Sequence, residues 1–377
     1  MHKTTLTTNL GALALALWTS ALAAEPVTLR VGHVGHDHHL ALFVAADRAE
    51  QYAAETGINL KPVEDQKRYE LLEDGRKIAD VEVVTVGGGS KMPTALAQGI
   101  IEVGLGGTAP VLAAVDSGAP VRLIAPLHHK GDMFVLRPDF PAKNWQEFVA
   151  QAKQAQEPIR IGYKSPVAVA KVIFEEALRH EGIPFGGDLS GGDIKVQMVN
   201  VKGGGKLNVS LGQGLIDGYA GNNPFPAIGL EKGLLRIVCD LEDLPAGNFR
   251  NHPCCCVAAH IDALKNKAEA VEALLVLLLQ ATETINKNLD AAVASATKWI
   301  GTSEAVERMS IPTSAYIMEP NAEWHGYMKT WLDAMNGLGV FTGTLAKRSE
   351  PEVATLAYDL SILKKAEARL AANRGAQ

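Results

Sequence analysis

Val86–Pro110 reads VGGGSKMPTALAQGIIEVGLGGTAP, and Val201–Pro226 reads VKGGGKLNVSLGQGLIDGYAGNNPFP. The two stretches follow one pattern: a Gly triplet, a helix-like run, Gln-Gly, two aliphatic residues, an acid and a small-residue turn. Aligned on Gln98 and Gln213, Gly99 meets Gly214, Ile101 meets Ile216, Glu102 meets Asp217 and Gly106 meets Gly221. Copies this far apart are not a solenoid, whose period is roughly 20–50 residues. They predict two lobes on one plan, each offering a Gly-rich loop and a helix N-terminus to a shared cleft. The copies diverge at their tips, where Gly107-Thr108 becomes Asn222-Asn223. The shared part reads as lobe architecture, the tips as the place where ligand identity is decided.

The chain has 377 residues, enough for two ordinary domains, and a net charge of -6. A mildly acidic chain without a basic cluster points away from nucleic acid and from anionic membrane surfaces. No apolar run reaches the roughly 18 residues of a membrane-spanning helix. The start reads as a secretory signal: Lys3, an apolar LGALALALW from Leu10 to Trp18, and an A-x-A pattern at Ala21–Ala23. Cleavage near Ala23 or Ala24 would release the chain into a periplasm. The four cysteines are Cys239 and the run Cys254, Cys255, Cys256. An oxidising compartment permits disulfides, but neighbours on a strand point to opposite faces. Cys239 could reach one of the run, and the sequence does not say which, if any.

Strand-like segments alternate with helices of about ten residues. Val27–Val31 reads as a strand, His39–Tyr52 as a helix stopped at Gly57, and Asn59–Val63 as a strand. Gln66–Asp80 is a charged excursion with a turn at Asp74-Gly75. Further strands are expected at Val81–Val86, Ile101–Leu105 and Val121–Ala125. Thr108 is placed as a helix cap, and Ser165-Pro166 as the start of a helix running to His180. Such alternation predicts βαβ units and a largely parallel sheet. The pattern restarts after Ile159, and from Ile261 it is mainly helical. The organisation that follows is a signal at 1–24, lobe 1 at 25–135, lobe 2 at 136–250, and a return to lobe 1 with C-terminal helices at 251–377. Crossings are expected near Met133–Leu136 and Asn251–Val257.

Two clusters stand outside the repeat. GHVGHDHH places His33, His36, His38 and His39 at the first strand-to-helix turn. NHPCCCVAAH places His252, Cys254, Cys255 and Cys256 at the second crossing. Thiolate and imidazole together suit Zn, Cu(I) or iron. The plainer readings are a polar turn with one ligand-contacting His, and small cysteines in a tightly packed strand. Strand alternation would put Cys254 and Cys256 on one face and Cys255 on the other. No G-x-x-x-x-G-K-[ST], G-x-G-x-x-G or G-x-S-x-G occurs, so nucleotide binding and a Ser nucleophile find no motif.

Taken in order, DHHLALFVA, the stretch from Gly87 to Pro126, GYKSP, GQGLIDGYAGNNPFPAIGLEKG and HPCCCV resemble the substrate-binding proteins of nitrate/sulfonate/taurine/bicarbonate ABC importers. That group shares a domain with the thiamin-pyrimidine synthases. The resemblance covers nearly the whole mature chain and is most specific from Gly87 to Pro126. It implies an α/β, type II periplasmic-binding fold of two lobes and two crossings, without catalysis. It also implies a small-molecule ligand, and an inner-membrane permease and ATPase as partners. The contacts it implies are His39, Gly89, Ser90, Gly107, Thr108, Ser165, Asn222 and Asn223, with His252, Cys254 and Cys255 added from the second cluster. The expectation is a monomer without a cofactor. The alternative is a transition metal held by His33, His36, His38, His39, His252, Cys254 and Cys255. The Cys run is also similar to that of the fungal thiamin-pyrimidine synthase, an intracellular iron-dependent enzyme, against which the export signal speaks.

Overall fold

The computed structural model describes residues 27–88, 91–187 and 193–375. The expected signal segment, and Gly89 and Ser90, lie outside the described residues. The strands are β1 (Val27–His33), β2 (Ile58–Glu64), β3 (Arg68–Glu73), β4 (Arg76–Thr85), β5 (Val103–Gly107), β6 (Val121–Lys130) and β7 (Asp132–Leu136). They continue with β8 (Ile159–Tyr163), β9 (Phe185–Gly186), β10 (Val196–Asn200), β11 (Gly218–Asn222), β12 (Arg236–Asp240), β13 (Pro253–His260) and β14 (Ser314–Ala315).

Two sheets result. The first runs β14-β6-β13-β5-β1-β4-β3-β2, the second β12-β7-β11-β8-β10-β9. Helices pack against both, so the fold is α/β. The sheets are mixed rather than largely parallel. β1 lies parallel to β4 and β5, and β8 parallel to β10 and β11. The charged excursion turns at Asp74-Gly75 and makes an antiparallel β2-β3-β4 meander. β7 and β13 also insert antiparallel, because each enters its sheet from the other lobe.

The chain passes between the sheets twice: at Gly131, and between β12 and β13. The segment Met133–Leu136, expected as a crossing, is instead strand inside the second sheet. The switch falls at Gly131 because it has φ +85, a left-handed conformation. A Cβ there would also lie 2.3 Å from Ser314 Oγ and 2.7 Å from His38 Nε2.

The duplicated segment does the same work in both lobes. Arg30 of β1 gives its backbone N–H to Glu102 at 2.7 Å and its guanidinium at 2.6 Å. Arg160 of β8 gives the same two groups to Asp217, each at 2.9 Å. Two residues on, Gly32 and Gly162 leave room for Ile101 and Ile216; a Cβ would lie 2.4 Å and 2.5 Å from their Cδ1 atoms. Gly88 and Gly203, equivalent in the repeat, share unusual φ values of +133 and +139.

The helix expected from His39 breaks at Arg48 into Leu40–Asp47 and Ala49–Thr56, and Gly57 ends it with φ +74. Leu40–Ala46 is buried on every side because the long helix Ala268–Lys287 covers it. One apolar core extends through both lobes; a smaller one, with Val135, Leu207, Ile216 and Tyr219, lies under the second sheet.

Candidate functional site

β1 ends at His33, and the chain turns through Asp37–His39 before the helix Leu40–Asp47. The histidines of this turn are buried, though they are polar. His39 Nδ1 accepts from Val34 N–H at 2.9 Å, which pins the turn. His38 Nε2 lies 3.2 Å from the carbonyl of Gly131. A carbonyl only accepts, so Nε2 carries a proton. The other ring nitrogen, Nδ1, faces Cys254 Sγ at 3.4 Å and Cys255 Sγ at 4.0 Å. Burial, reinforced by neighbouring His39, holds His36 well below the usual imidazole range. Burial works the same way on His38, but the Cys255 hydrogen bond and Asp37 outweigh it and raise that group.

β13 brings the cysteines to this turn. Its pairing with β6 slips between Pro253 and Cys255 and again between Cys255 and Cys256. These bulges cancel the simple alternation expected of a strand. Cys254 and Cys255 therefore join one cluster, their Sγ atoms 3.9 Å apart, instead of facing away from each other. Burial drives Cys254 well above the usual thiol range. Burial opposes the Cys255 thiolate too, yet the Cys254 hydrogen bond, the nearby His128 imidazole and the His38 hydrogen bond hold it well below that range. All four cysteines are free, and burial pushes Cys239 up to about 12.

The second lobe closes over the cluster. Ser165 is buried and its Oγ has no partner among the described residues. The helix expected to open there starts at Val169 with Ala168 as its cap, so Ser165 is free to face the cleft. Lys164 Nζ donates to Asn222 Oδ1. A small inner cavity of about 20 Å³ is lined by residues of both lobes, among them His36, His38, His39, Gly107, Asp132, Lys164, Ser165, Cys254 and Cys255. Beside it lies an outer cavity of about 170 Å³. Gly87, Gly88 and Lys91 line it from one lobe; Lys164, Ser165, Pro166, Asn200, Lys202, Gly203 and Gly204 line it from the other. Both Gly loops of the duplicated segment thus face one space.

The structure brings His39, Gly107, Ser165, Cys254 and Cys255 to the inner cavity. Thr108 is buried at the start of the helix Thr108–Asp116, whose cap is Gly107. Asn222 and Asn223 do not line the inner cavity; Asn223 donates to Thr313 Oγ1 at 2.8 Å. His252 lies under the cleft, bound to Phe249 O at 2.8 Å and Asp132 Oδ2 at 3.2 Å. His33 stands apart, bonded to Thr85 and edge-on to Phe43 and Trp299. Among the described residues, two groups of donor atoms are close enough to share a metal ion: His38, His128, Cys254 and Cys255, and Asp132, His252 and Cys254. His33, His36 and His39 belong to neither. The sequence does not single out His128, Asp132 or Lys164: no motif surrounds the first two, and in GYKSP the signal falls on Ser165.

The family model of the NMT1-like family matches residues 22–301. An uncharacterized protein of Methanocaldococcus jannaschii is 40% identical over 106 residues, 28% of this chain and 73% of that protein. Among solved structures, the nitrate-binding protein NrtA of Synechocystis PCC 6803 is similar at TM-score 0.71 and 12% identity, over 92% of this chain and 89% of that one. A zinc-bound ligand-binding component of an ABC-type import system from Staphylococcus aureus gives TM-score 0.69 and 15% identity, over 90% and 99%. The alkanesulfonate-binding protein SsuA of Xanthomonas axonopodis pv. citri, bound to MOPS, gives 0.65 and 15%, over 89% and 99%. At these identities the likeness establishes the fold. The chain is a member of the NMT1-like family, built on the periplasmic-binding-protein fold.

Proposed function

We propose that the protein is the exported solute-binding component of an ABC importer, which captures a small anionic ligand between its lobes and delivers it to a membrane permease. The observation that carries this reading is the outer cavity. Lys91, Lys164 and Lys202 line it with no carboxylate among its lining residues, and it takes one Gly loop from each lobe. Loop N–H groups and ammonium groups from two bodies favour an anion, and one that touches both lobes favours the closed arrangement over the open. The partnerless Ser165 hydroxyl supplies a further hydrogen bond. No covalent step is required of the protein; closure and release are the function.

Native mass spectrometry of protein purified from the periplasm, followed by scattering with nitrate, sulfonates and pyrimidine phosphates, tests this. The expected result is one anionic ligand per chain and compaction on binding. A protein that neither retains nor responds to any anion of the panel would overturn the reading.

A further inference from the structure

We propose that His38, His128, Cys254 and Cys255 bind one thiophilic d¹⁰ metal ion, zinc(II) or copper(I), in a buried site at the hinge. The site shares none of its four ligands with the outer cavity of the anion reading and does not rest on that reading.

The donor atoms already outline the polyhedron. Metal–sulfur bonds of about 2.3 Å and metal–nitrogen bonds of about 2.0–2.1 Å give tetrahedral edges of about 3.8 Å for S···S and about 3.6 Å for S···N. The structure has 3.9 Å between the two sulfurs, and 3.4 Å and 4.0 Å from them to His38 Nδ1. All four donors lie within 4.8 Å of one another. Two cysteines and two histidines are a complete set for a structural tetrahedral ion.

Each imidazole is oriented as a ligand is. His38 gives its Nε2 proton to Gly131 O, which fixes the tautomer and leaves Nδ1 for the ion, the usual outer-shell arrangement. His128 engages its neighbour's carbonyl through Nδ1 at 3.3 Å and leaves Nε2 buried with no hydrogen-bond partner among the described residues. The four side chains are 0–4% exposed, His128 at 0% and Cys255 at 4%. Packing alone does not account for two imidazole nitrogens and two sulfurs gathered away from water. A buried polar atom without a partner is a cost that an ion removes. His252 stays outside the shell, since both of its ring nitrogens already meet protein oxygens.

The test uses the full exported chain, stripped with chelator under reducing conditions and reloaded with zinc(II) or copper(I). We expect one equivalent of one of these metals by elemental analysis, a higher melting temperature on loading, and tetrahedral thiolate-to-metal spectra after cobalt(II) substitution. Cys254→Ser and His128→Ala should each weaken binding more than about 100-fold, beyond the 10–100-fold typical of outer-shell changes. His33→Ala, Lys91→Ala and Lys202→Ala should leave metal uptake unchanged. Should the site variants fail to fold, thiol alkylation of the wild type decides: metal should protect Cys254 and Cys255 but not Cys239. No stoichiometric uptake of either ion, retained uptake in a folded Cys254→Ser protein, or no thiol protection would overturn the proposal. Loss of anion binding alone would not.

Discussion

His252 Nε2 stands 3.2 Å from Asp132 Oδ2, and this contact ties the two crossover segments together. Asp132 opens β7 immediately after the first crossing, and His252 precedes β13 at the end of the second. Both side chains are almost fully buried, at 2% and 1% exposure. His252 is also held by Phe249 O, so the clamp has a fixed orientation.

Removing one partner leaves the other buried and unpaired. His252→Ala should therefore destabilise the protein by about 3–5 kcal/mol. Asp132→Asn should cost less, because an amide keeps part of the hydrogen bonding. Denaturant unfolding of the single and double variants checks this. A double variant no worse than His252→Ala shows that the two residues act as one unit.

Glu307 predicts how stability depends on pH. It is buried, and burial, followed by repulsion from Asp37, raises it from 4.5 to about 8. The folded chain therefore binds a proton that the unfolded chain releases between these values. Its contribution is fully present below about pH 4.5 and is lost as pH rises to about 8. Glu307→Gln should flatten that decline, on the order of a few kcal/mol. Unfolding free energies measured at intervals from pH 5 to pH 9 decide it; a wild-type curve that rises through this window would contradict the assignment.

Gly131 has no tolerance for a side chain. Gly131→Ala forces a β-carbon into Ser314 and His38 in a left-handed conformation. A loss of about 1–3 kcal/mol is expected from the backbone alone. Calorimetry measures it.

The two acids of the duplicated segment should be equivalent. Glu102→Gln and Asp217→Asn each remove a charged acceptor from an arginine guanidinium and from that arginine's own backbone N–H. Each should cost about 1–3 kcal/mol. Hydrogen exchange should show the loss mainly in the lobe that carries the change.

Lys91 and Lys202 face the outer cavity from opposite lobes. Alanine at either should weaken anion binding about tenfold or more, the loss of one charge-assisted contact. Titration calorimetry with the retained ligand reads this directly.

The amino-acid order by itself determined the two-lobe plan and most of the element order. Strand periodicity, the stop at Gly57 and the duplicated acids are local signals, and each acts within a few residues or through a pattern stated twice. Strand alternation also misled. Cys254 and Cys255 fall in one cluster because β13 bulges against β6, a slip set by its neighbour and absent from any single strand. His128 and Asp132 carry no motif, and in GYKSP the signal falls on Ser165 rather than Lys164. All three reach the site because β6, β7 and β8, consecutive in the chain, are divided between two sheets at Gly131. His33 shows the converse: it sits in a histidine-rich motif, yet packing against Phe43 and Trp299 removes it from the cleft. Only tertiary structure decides which polar side chains share a dry pocket, because that depends on the distance between segments brought together by the crossings.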